Sequence, residues 1–195
     1  MLNILSHKIT LWEEINLHPL LPILTNTQTI PQIIFLRGIS GSGKTTLCNS
    51  LCRLLGVEKV ISFSADNYFI VDGIYNFQIS KISDAHNACI ISMEKALQSC
   101  EFPYIIMDNT HTRLWHLSNA ERVAEKYGAK IFYLDIIVPD YAHFSLCLKR
   151  QRHNVPEDVL LEQWVNWENH PKSILIPMFN PQTPHSPAHS QTASN

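Results

Sequence analysis

The sequence lacks an excess of positive charge, and this limits what the protein can bind. Fifteen Lys and Arg stand against 17 Asp and Glu, and charged residues make up only 16% of the chain. Proteins that hold long nucleic acids through many phosphates carry broad basic surfaces. The charge balance argues against such a surface, although it leaves room for a narrow basic channel.

Long apolar runs and paired cysteines are also missing. No segment reaches the roughly 18 uninterrupted apolar residues of a membrane helix, and the first residues lack the pattern of a secretory leader. The five cysteines are an odd number, and no two of them form a C-x-x-C pair. We therefore expect reduced thiols in a soluble, cytoplasmic protein without a membrane partner.

What the sequence does contain is enough apolar material for one domain. Hydrophobic residues make up 45% of the 195 residues, which is sufficient for one substantial core. We expect an N-terminal lead-in over residues 1–31 and a folded domain over residues 32–176. Residues 177–195 are rich in Pro, Ser, Thr and His and have little to bury, so a disordered tail is predicted there.

Short apolar runs alternate with segments of helical periodicity from residue 32 onward. Strands are predicted at the apolar runs, which are residues 32–37, 59–63, 103–108 and 129–137. Helices are predicted over residues 44–55, 78–99 and 113–128, after Pro139, and after Val155. An Asp-Gly pair between apolar arms in residues 70–77 predicts a turn. This alternation predicts an α/β fold with a mainly parallel sheet.

The strongest motif is GISGSGKT at residues 38–45, which fits G-x-x-x-x-G-K-[ST] in full. Glycines let consecutive amides turn toward a di- or triphosphate at the positive end of a helix. A buried strand precedes the loop and a helix follows it, so a plain turn is the weaker interpretation. The predicted nucleotide-binding residues are Gly38, Ser40, Gly41, Ser42, Gly43, Lys44, Thr45 and Thr46.

Two carboxylates are predicted to face this loop. Asp108 ends an apolar strand, where a carboxylate can hold Mg²⁺ together with the Thr45 hydroxyl, or can simply cap the next segment. Asp66 follows the strand that ends near Phe63 and should face the same crevice as Lys44. It can accept the proton of an attacking hydroxyl, or it can serve as a helix N-cap.

A basic cluster near the end of a predicted helix is the fourth candidate element. It consists of Lys149, Arg150 and Arg152. A segment that closes over the nucleotide and brings arginines to its phosphates stabilises charge in the transition state. The alternative is a solvated helix C-terminus, where basic residues also favour the helix dipole.

With these residues in view, the chain resembles the polynucleotide 5′-hydroxyl kinases of the phage type and their AAA_33-like P-loop relatives. The resemblance covers residues 32–170 and is carried by GISGSGKTT, SADNYF, IIMDNTHT, AEKYGAKIFYLDI and the segment VPEDVLLEQW. It implies a P-loop NTPase three-layer sandwich with a helical lid. Lys44 and Thr45 would bind ATP and Mg²⁺, and Asp108 would position the metal or the acceptor.

The resemblance also implies roles for the remaining candidates. Asp66 would be the general base, and Arg150 or Arg152 would be the arginine of the lid. The chain departs from the phage enzymes at Phe69, where they carry an arginine for a substrate phosphate. The order of the loop, the two carboxylates and the basic cluster gives the leading hypothesis, an ATP-dependent kinase acting on the 5′-hydroxyl of RNA or DNA. A kinase of a small molecule or a protein side chain, and a nucleotide-dependent binding module, are the alternatives.

Overall fold

Five parallel strands form the central sheet of the structure, a computed structural model that describes residues 12–14, 16–25 and 30–179. The sheet has the strand order β2-β5-β1-β6-β7, and β3 and β4 form a separate antiparallel hairpin. The strands are β1 (Gln32–Arg37), β2 (Val60–Phe63), β3 (Ile70–Val71), β4 (Ile74–Tyr75), β5 (Tyr104–Asp108), β6 (Lys130–Ile137) and β7 (Ser173–Pro177).

Helices cover both faces of this sheet. The α-helices are α1 (Leu21–Thr25), α2 (Lys44–Leu55), α3 (Ile82–Ser99), α4 (Ser118–Lys126), α5 (Tyr141–Arg150) and α6 (Glu157–Val165). Side chains of α2, α5 and α6 share one hydrophobic cluster, whereas side chains of α3 and α4 belong to a second one. In the described residues, no helix is both long and apolar enough to cross a membrane.

The central strand β1 explains why the two clusters lie on opposite faces. All six of its residues are buried, as expected for a parallel strand covered on both sides. Ile34 and Leu36 point into the cluster that includes α2, while Ile33 and Phe35 point into the cluster that includes α3. The predicted α/β sandwich with a mainly parallel sheet is therefore confirmed.

The observed elements follow the predicted ones closely, with two differences. The predicted helix over residues 113–128 is a 3₁₀ turn, Leu114–His116, followed by α4, and the left-handed Gly128 lies just beyond it. Strand β7 has no counterpart among the predictions. Its partner is the neighbouring strand β6, and only Ile176 of its five residues is fully buried. The run Ile174–Leu175–Ile176 is apolar but short, and it ends at Pro177.

Both ends of the described chain pack on the domain. Trp12, Leu17 and Leu24 belong to the same core cluster as α2, so part of the predicted lead-in contributes to the core. At the other end, β7 reaches Pro177 and Met178 is buried. The rest of the predicted tail, residues 180–195, lies outside the described residues, and the division of the chain at residue 32 stays a prediction.

A buried ion pair fixes the end of β1. The guanidinium of Arg37 contacts the Asp135 carboxylate of β6 at 2.7 Å, and both side chains are fully buried. Arg37 also donates to the backbone oxygens of His111 (3.0 Å) and Glu168 (2.7 Å). These bonds tie β1 and β6 to the loop after β5 and to the segment after α6.

Because His111 is buried, we expect the free energy of unfolding to fall at acidic pH. Burial lowers the pKa of its imidazole to about 3, so the folded protein keeps this ring neutral. A lowered pKa gives stability that is present above the ordinary histidine pKa and is lost as the pH falls toward about 3. We expect a loss of up to about 1.4 kcal/mol per pH unit from this group.

His111→Asn should reduce this slope in urea unfolding measured from neutral to acidic pH. Asparagine suits the left-handed backbone of this position, where φ is 43°. His18→Asn, at an exposed histidine, is the matched control and should leave the slope unchanged. Equal slopes in wild type and His111→Asn would contradict the interpretation.

Candidate active site

One cavity of about 800 Å³ opens at the carboxyl ends of β1, β2 and β5. Its walls come from the glycine loop at residues 38–45, which we call the P-loop, from the segment after β2 and from the hairpin β3–β4. Residues 150–156, at the end of α5 and beyond it, complete the walls. Ligands of open α/β sheets bind beyond the carboxyl ends of the strands. The position and the lining of this cavity make it the candidate active site.

The P-loop connects β1 to α2 through glycines with unusual backbone angles. Gly41 and Gly43 have φ values of 77° and 108°, in the region that favours glycine. A Cβ on Gly43 would meet no atom within 4 Å, so the loop backbone is open on that side. The first amides of α2 have no carbonyl partner inside the helix and can bind an anion.

Lys44 folds back over the loop that precedes it. Its Nζ donates to the carbonyl oxygens of Gly38 and Ile39, each at 3.0 Å. Burial lowers the pKa of this ammonium, although the nearby carboxylates of Asp108 and Asp66 act in the opposite direction. The positive charge of Lys44 therefore lies within the influence of both predicted carboxylates.

Thr45 and Asp108 meet as the sequence predicts. The Thr45 hydroxyl donates to Oδ2 of Asp108 at 3.0 Å, because the parallel register places Asp108 beside Leu36, two residues before the loop. Asp108 is buried, and burial raises the pKa of its carboxyl group. A hydroxyl and a carboxylate oxygen are ligands that suit Mg²⁺. The buried hydroxyl of Ser42 has no partner among the described residues and adds a further donor to the loop.

Asp66 lies across the same cavity, on the short 3₁₀ helix Ala65–Phe69. The N-cap of this helix is Ser64, so Asp66 does not occupy the capping position. Its carboxylate accepts from the Tyr75 hydroxyl at 3.2 Å and lies 3.6 Å from Nε2 of His153. About half of the side chain, 52%, is exposed and can be reached by a substrate.

Asn109 holds the Asp66 segment against the sheet. Its Oδ1 accepts from the Ala65 amide at 2.8 Å, immediately before Asp66. Asn109 directly follows Asp108, so one short segment positions both carboxylates. The role of this asparagine could not be predicted from the sequence, because its partner lies 44 residues away.

The predicted lid contributes Arg150 and Arg152 to the cavity lining, but not Lys149. Arg150 ends α5 and donates to the backbone oxygen of Phe179 at 2.7 Å. Gln163 of α6 accepts from the Ser40 amide of the P-loop at 2.9 Å. Gln163 carries no signal in the sequence, because its position at the cavity depends on tertiary packing. The contacts of Tyr75 and His153 with Asp66 depend on that packing as well.

The glycine loop after β1 and the Asp108 carboxylate at the end of the adjacent strand β5 have the arrangement of a P-loop nucleotide-binding domain. The family comparison agrees, because residues 33–170 match the AAA_33 family, described as an AAA domain. The chain belongs to this family. The predicted family resemblance is thus confirmed.

A curated relative is similar to part of the chain, and solved structures share its fold. Human NEDD4-binding protein 2 is 28% identical over 101 residues, which are 52% of this chain but only 6% of that protein. The Pnkp1/Rnl/Hen1 RNA repair complex aligns over 72% of this chain and 45% of that chain, with 19% identity and a TM-score of 0.59. A gluconokinase from Sinorhizobium meliloti 1021 aligns over 77% and 85%, with 15% identity and a TM-score of 0.52.

These comparisons confirm the predicted family and the predicted fold, and solved kinases share that fold. A fold of this kind implies a nucleotide and, typically, Mg²⁺ as its ligands. The solved structures include kinases of different substrates, so the comparisons leave the phosphate acceptor open. The roles of the individual site residues stay predictions.

Gly41 provides a test of the loop geometry. A Cβ at this position would overlap the backbone carbonyl of Cys147 in α5, whereas a Cβ on Gly73, with nearly the same φ, would meet no atom within 4 Å. Left-handed backbone alone costs alanine about 1–2 kcal/mol. Gly41→Ala should therefore lower the free energy of urea unfolding by about 2 kcal/mol more than Gly73→Ala does. Equal losses would show that α5 does not approach the loop this closely.

Thr45 provides a test of the metal ligands. Thr45→Ala should reduce the gain in ADP affinity caused by Mg²⁺ about tenfold, because the loop loses an oxygen ligand. Thr45→Ser keeps the hydroxyl and should retain most of that gain. Isothermal titration of ADP, with and without Mg²⁺, measures it. Equal behaviour of the two variants would remove Thr45 from the predicted metal site.

Proposed function

We propose that this P-loop kinase transfers the γ-phosphate of ATP to the 5′-hydroxyl of RNA or DNA. The proposal depends on one observation: a single cavity brings together Lys44, the Thr45–Asp108 pair and, from another chain segment, the carboxylate of Asp66. A protein that only binds nucleotide has no need of a carboxylate that can reach an acceptor hydroxyl.

In the proposed reaction, Asp66 accepts the proton of the attacking hydroxyl. The hydroxyl oxygen forms a bond to the γ-phosphorus, the bond from that phosphorus to the bridging β–γ oxygen breaks, and ADP leaves. Lys44 and the lid arginines, Arg150 and Arg152, stabilise the negative charge on the transferred group. Mg²⁺, when bound, would neutralise charge on the phosphates near Thr45 and Asp108.

The polynucleotide acceptor rests on the motifs that resemble polynucleotide kinases and on the fold shared with the Pnkp1/Rnl/Hen1 RNA repair complex. A small hydroxyl compound is the second candidate. The fold shared with a gluconokinase and the net charge of −2 favour it. Both candidates use the same donor half of the site, which is the part around Lys44, Thr45 and Asp108 that would bind ATP. They differ only in which hydroxyl compound reaches Asp66.

Asp66→Asn tests the proposed base. Transfer of labelled phosphate from ATP to a 5′-hydroxyl oligonucleotide should fall about 10²- to 10⁴-fold in kcat, because the amide cannot accept the proton. ADP affinity should change little. Asp72→Asn, in the turn of the hairpin and outside the cavity lining, is the matched control and should keep wild-type activity.

Two results would contradict the proposal. Undiminished transfer by Asp66→Asn would exclude Asp66 as the base. Wild-type enzyme that labels small hydroxyl compounds but no oligonucleotide would exclude the polynucleotide acceptor and favour the second candidate.

A further inference from the structure

An aromatic and apolar surface forms the wall of the cavity beside Asp66. We call it the acceptor wall, and its members are Phe69, Tyr75, Phe77, Ile79 and Ile82. Phe69 ends the 3₁₀ helix Ala65–Phe69, Tyr75 lies in β4, and Ile82 begins α3. Phe77 follows β4, and Ile79 lies in a second 3₁₀ turn, Ile79–Lys81. The donor half of the cavity uses none of these residues.

Phe69 holds the rings of this wall in place. It is buried, and its ring centroid lies 5.0 Å from that of Phe77 and 6.1 Å from that of Tyr75. The Tyr75 hydroxyl donates to Asp66, so the wall is attached directly to the proposed base. The wall and the carboxylate therefore have a fixed relative position.

Phe77 is the ring that can receive a ligand. The ring of His153 lies against Tyr75, with centroids 4.2 Å apart, and covers part of it. Phe77 is 50% exposed and the adjacent Ile79 is 79% exposed, although both line the cavity. Apolar side chains exposed beside an active site indicate a binding surface.

The charges around the wall favour one kind of ligand. Of the residues from 65 to 86 that line the cavity, none is Lys or Arg. A phosphate would find no cation there, and a polyol would find few hydrogen-bonding side chains. A nucleobase presents an aromatic face, which stacks on aromatic side chains without a need for charge.

We infer that the base of the terminal nucleotide, the one that carries the reacting 5′-hydroxyl, stacks on Phe77. This inference rests on the proposed function and specifies how its acceptor is held. The base and the hydroxyl belong to the same nucleotide, so no phosphate lies between Asp66 and the acceptor wall. Phosphates further along the strand remain free to reach the lid arginines.

Two oligonucleotides that differ only in their first nucleotide test the inference. Both carry a 5′-hydroxyl, but one has a base on the first sugar and the other is abasic at that position. Wild-type enzyme should show a KM about tenfold lower for the base-bearing acceptor. Because no cation of the wall takes part, the ratio of the two KM values should not depend on salt.

Variants of Phe77 separate stacking from simple apolar contact. Phe77→Ala and Phe77→Leu should both raise the KM for the base-bearing oligonucleotide toward the KM for the abasic one. Phe77→Tyr keeps an aromatic ring and should retain the lower KM for the base-bearing oligonucleotide. The KM for ATP should stay unchanged, which also verifies that the variants fold. Ile74→Ala is the matched control, because Ile74 is 71% exposed on the same hairpin but lies outside the cavity lining.

The outcomes distinguish this inference from the proposed function. Equal KM values for both acceptors in wild type, or an equal effect of Ile74→Ala, would overturn the role of the wall and leave the polynucleotide kinase in place. No phosphate transfer to either oligonucleotide would overturn the proposed function and, with it, this inference. A base preference that Phe77→Leu abolishes and Phe77→Tyr retains would establish the stacking role.

Discussion

The buried ion pair between Arg37 and Asp135 is the interaction on which the geometry of the site depends. Arg37 is the residue directly before Gly38, so it fixes the point at which β1 ends and the P-loop begins. Burying two charges costs free energy unless every donor finds a partner. Here the guanidinium also binds two backbone oxygens, at His111 and Glu168, and its charge lies 4.7 Å from the ring centroid of Trp167.

The same interaction links helix α6 to the P-loop. Glu168 follows α6, and Gln163 within α6 accepts from the Ser40 amide, so the segment is attached to β1 and to the P-loop at two points. Gly41 approaches the backbone of α5 from the other side. The P-loop thus lies between two helices of the predicted lid region. Its backbone is held by packing as well as by its own turn residues.

The parts predicted from sequence are those whose signal is local. The loop motif, the buried strands and the Thr45–Asp108 contact follow from spacing and from the rule that parallel strands deliver their carboxyl ends to one edge. Neither strand β7 nor the role of Gln163 was predicted, because a short edge strand and a polar helix residue acquire their partners only when distant segments meet. The pairing of Tyr75 with Asp66 likewise depends on how the hairpin folds back.

The two halves of the cavity are built from different groups: backbone amides and cations on one side, and side chains of residues 65–86 on the other. The half of the cavity at the P-loop consists mostly of backbone amides and the cations Lys44, Arg150 and Arg152, which in the proposed reaction would bind phosphates whatever the acceptor is. The acceptor half consists of side chains from residues 65–86, which are joined to the donor half through the Ala65–Asn109 hydrogen bond. If the proposed reaction is correct, changes in the hairpin can alter which hydroxyl reaches Asp66 without disturbing the nucleotide. Kinases with different acceptors can share this fold for the same physical reason.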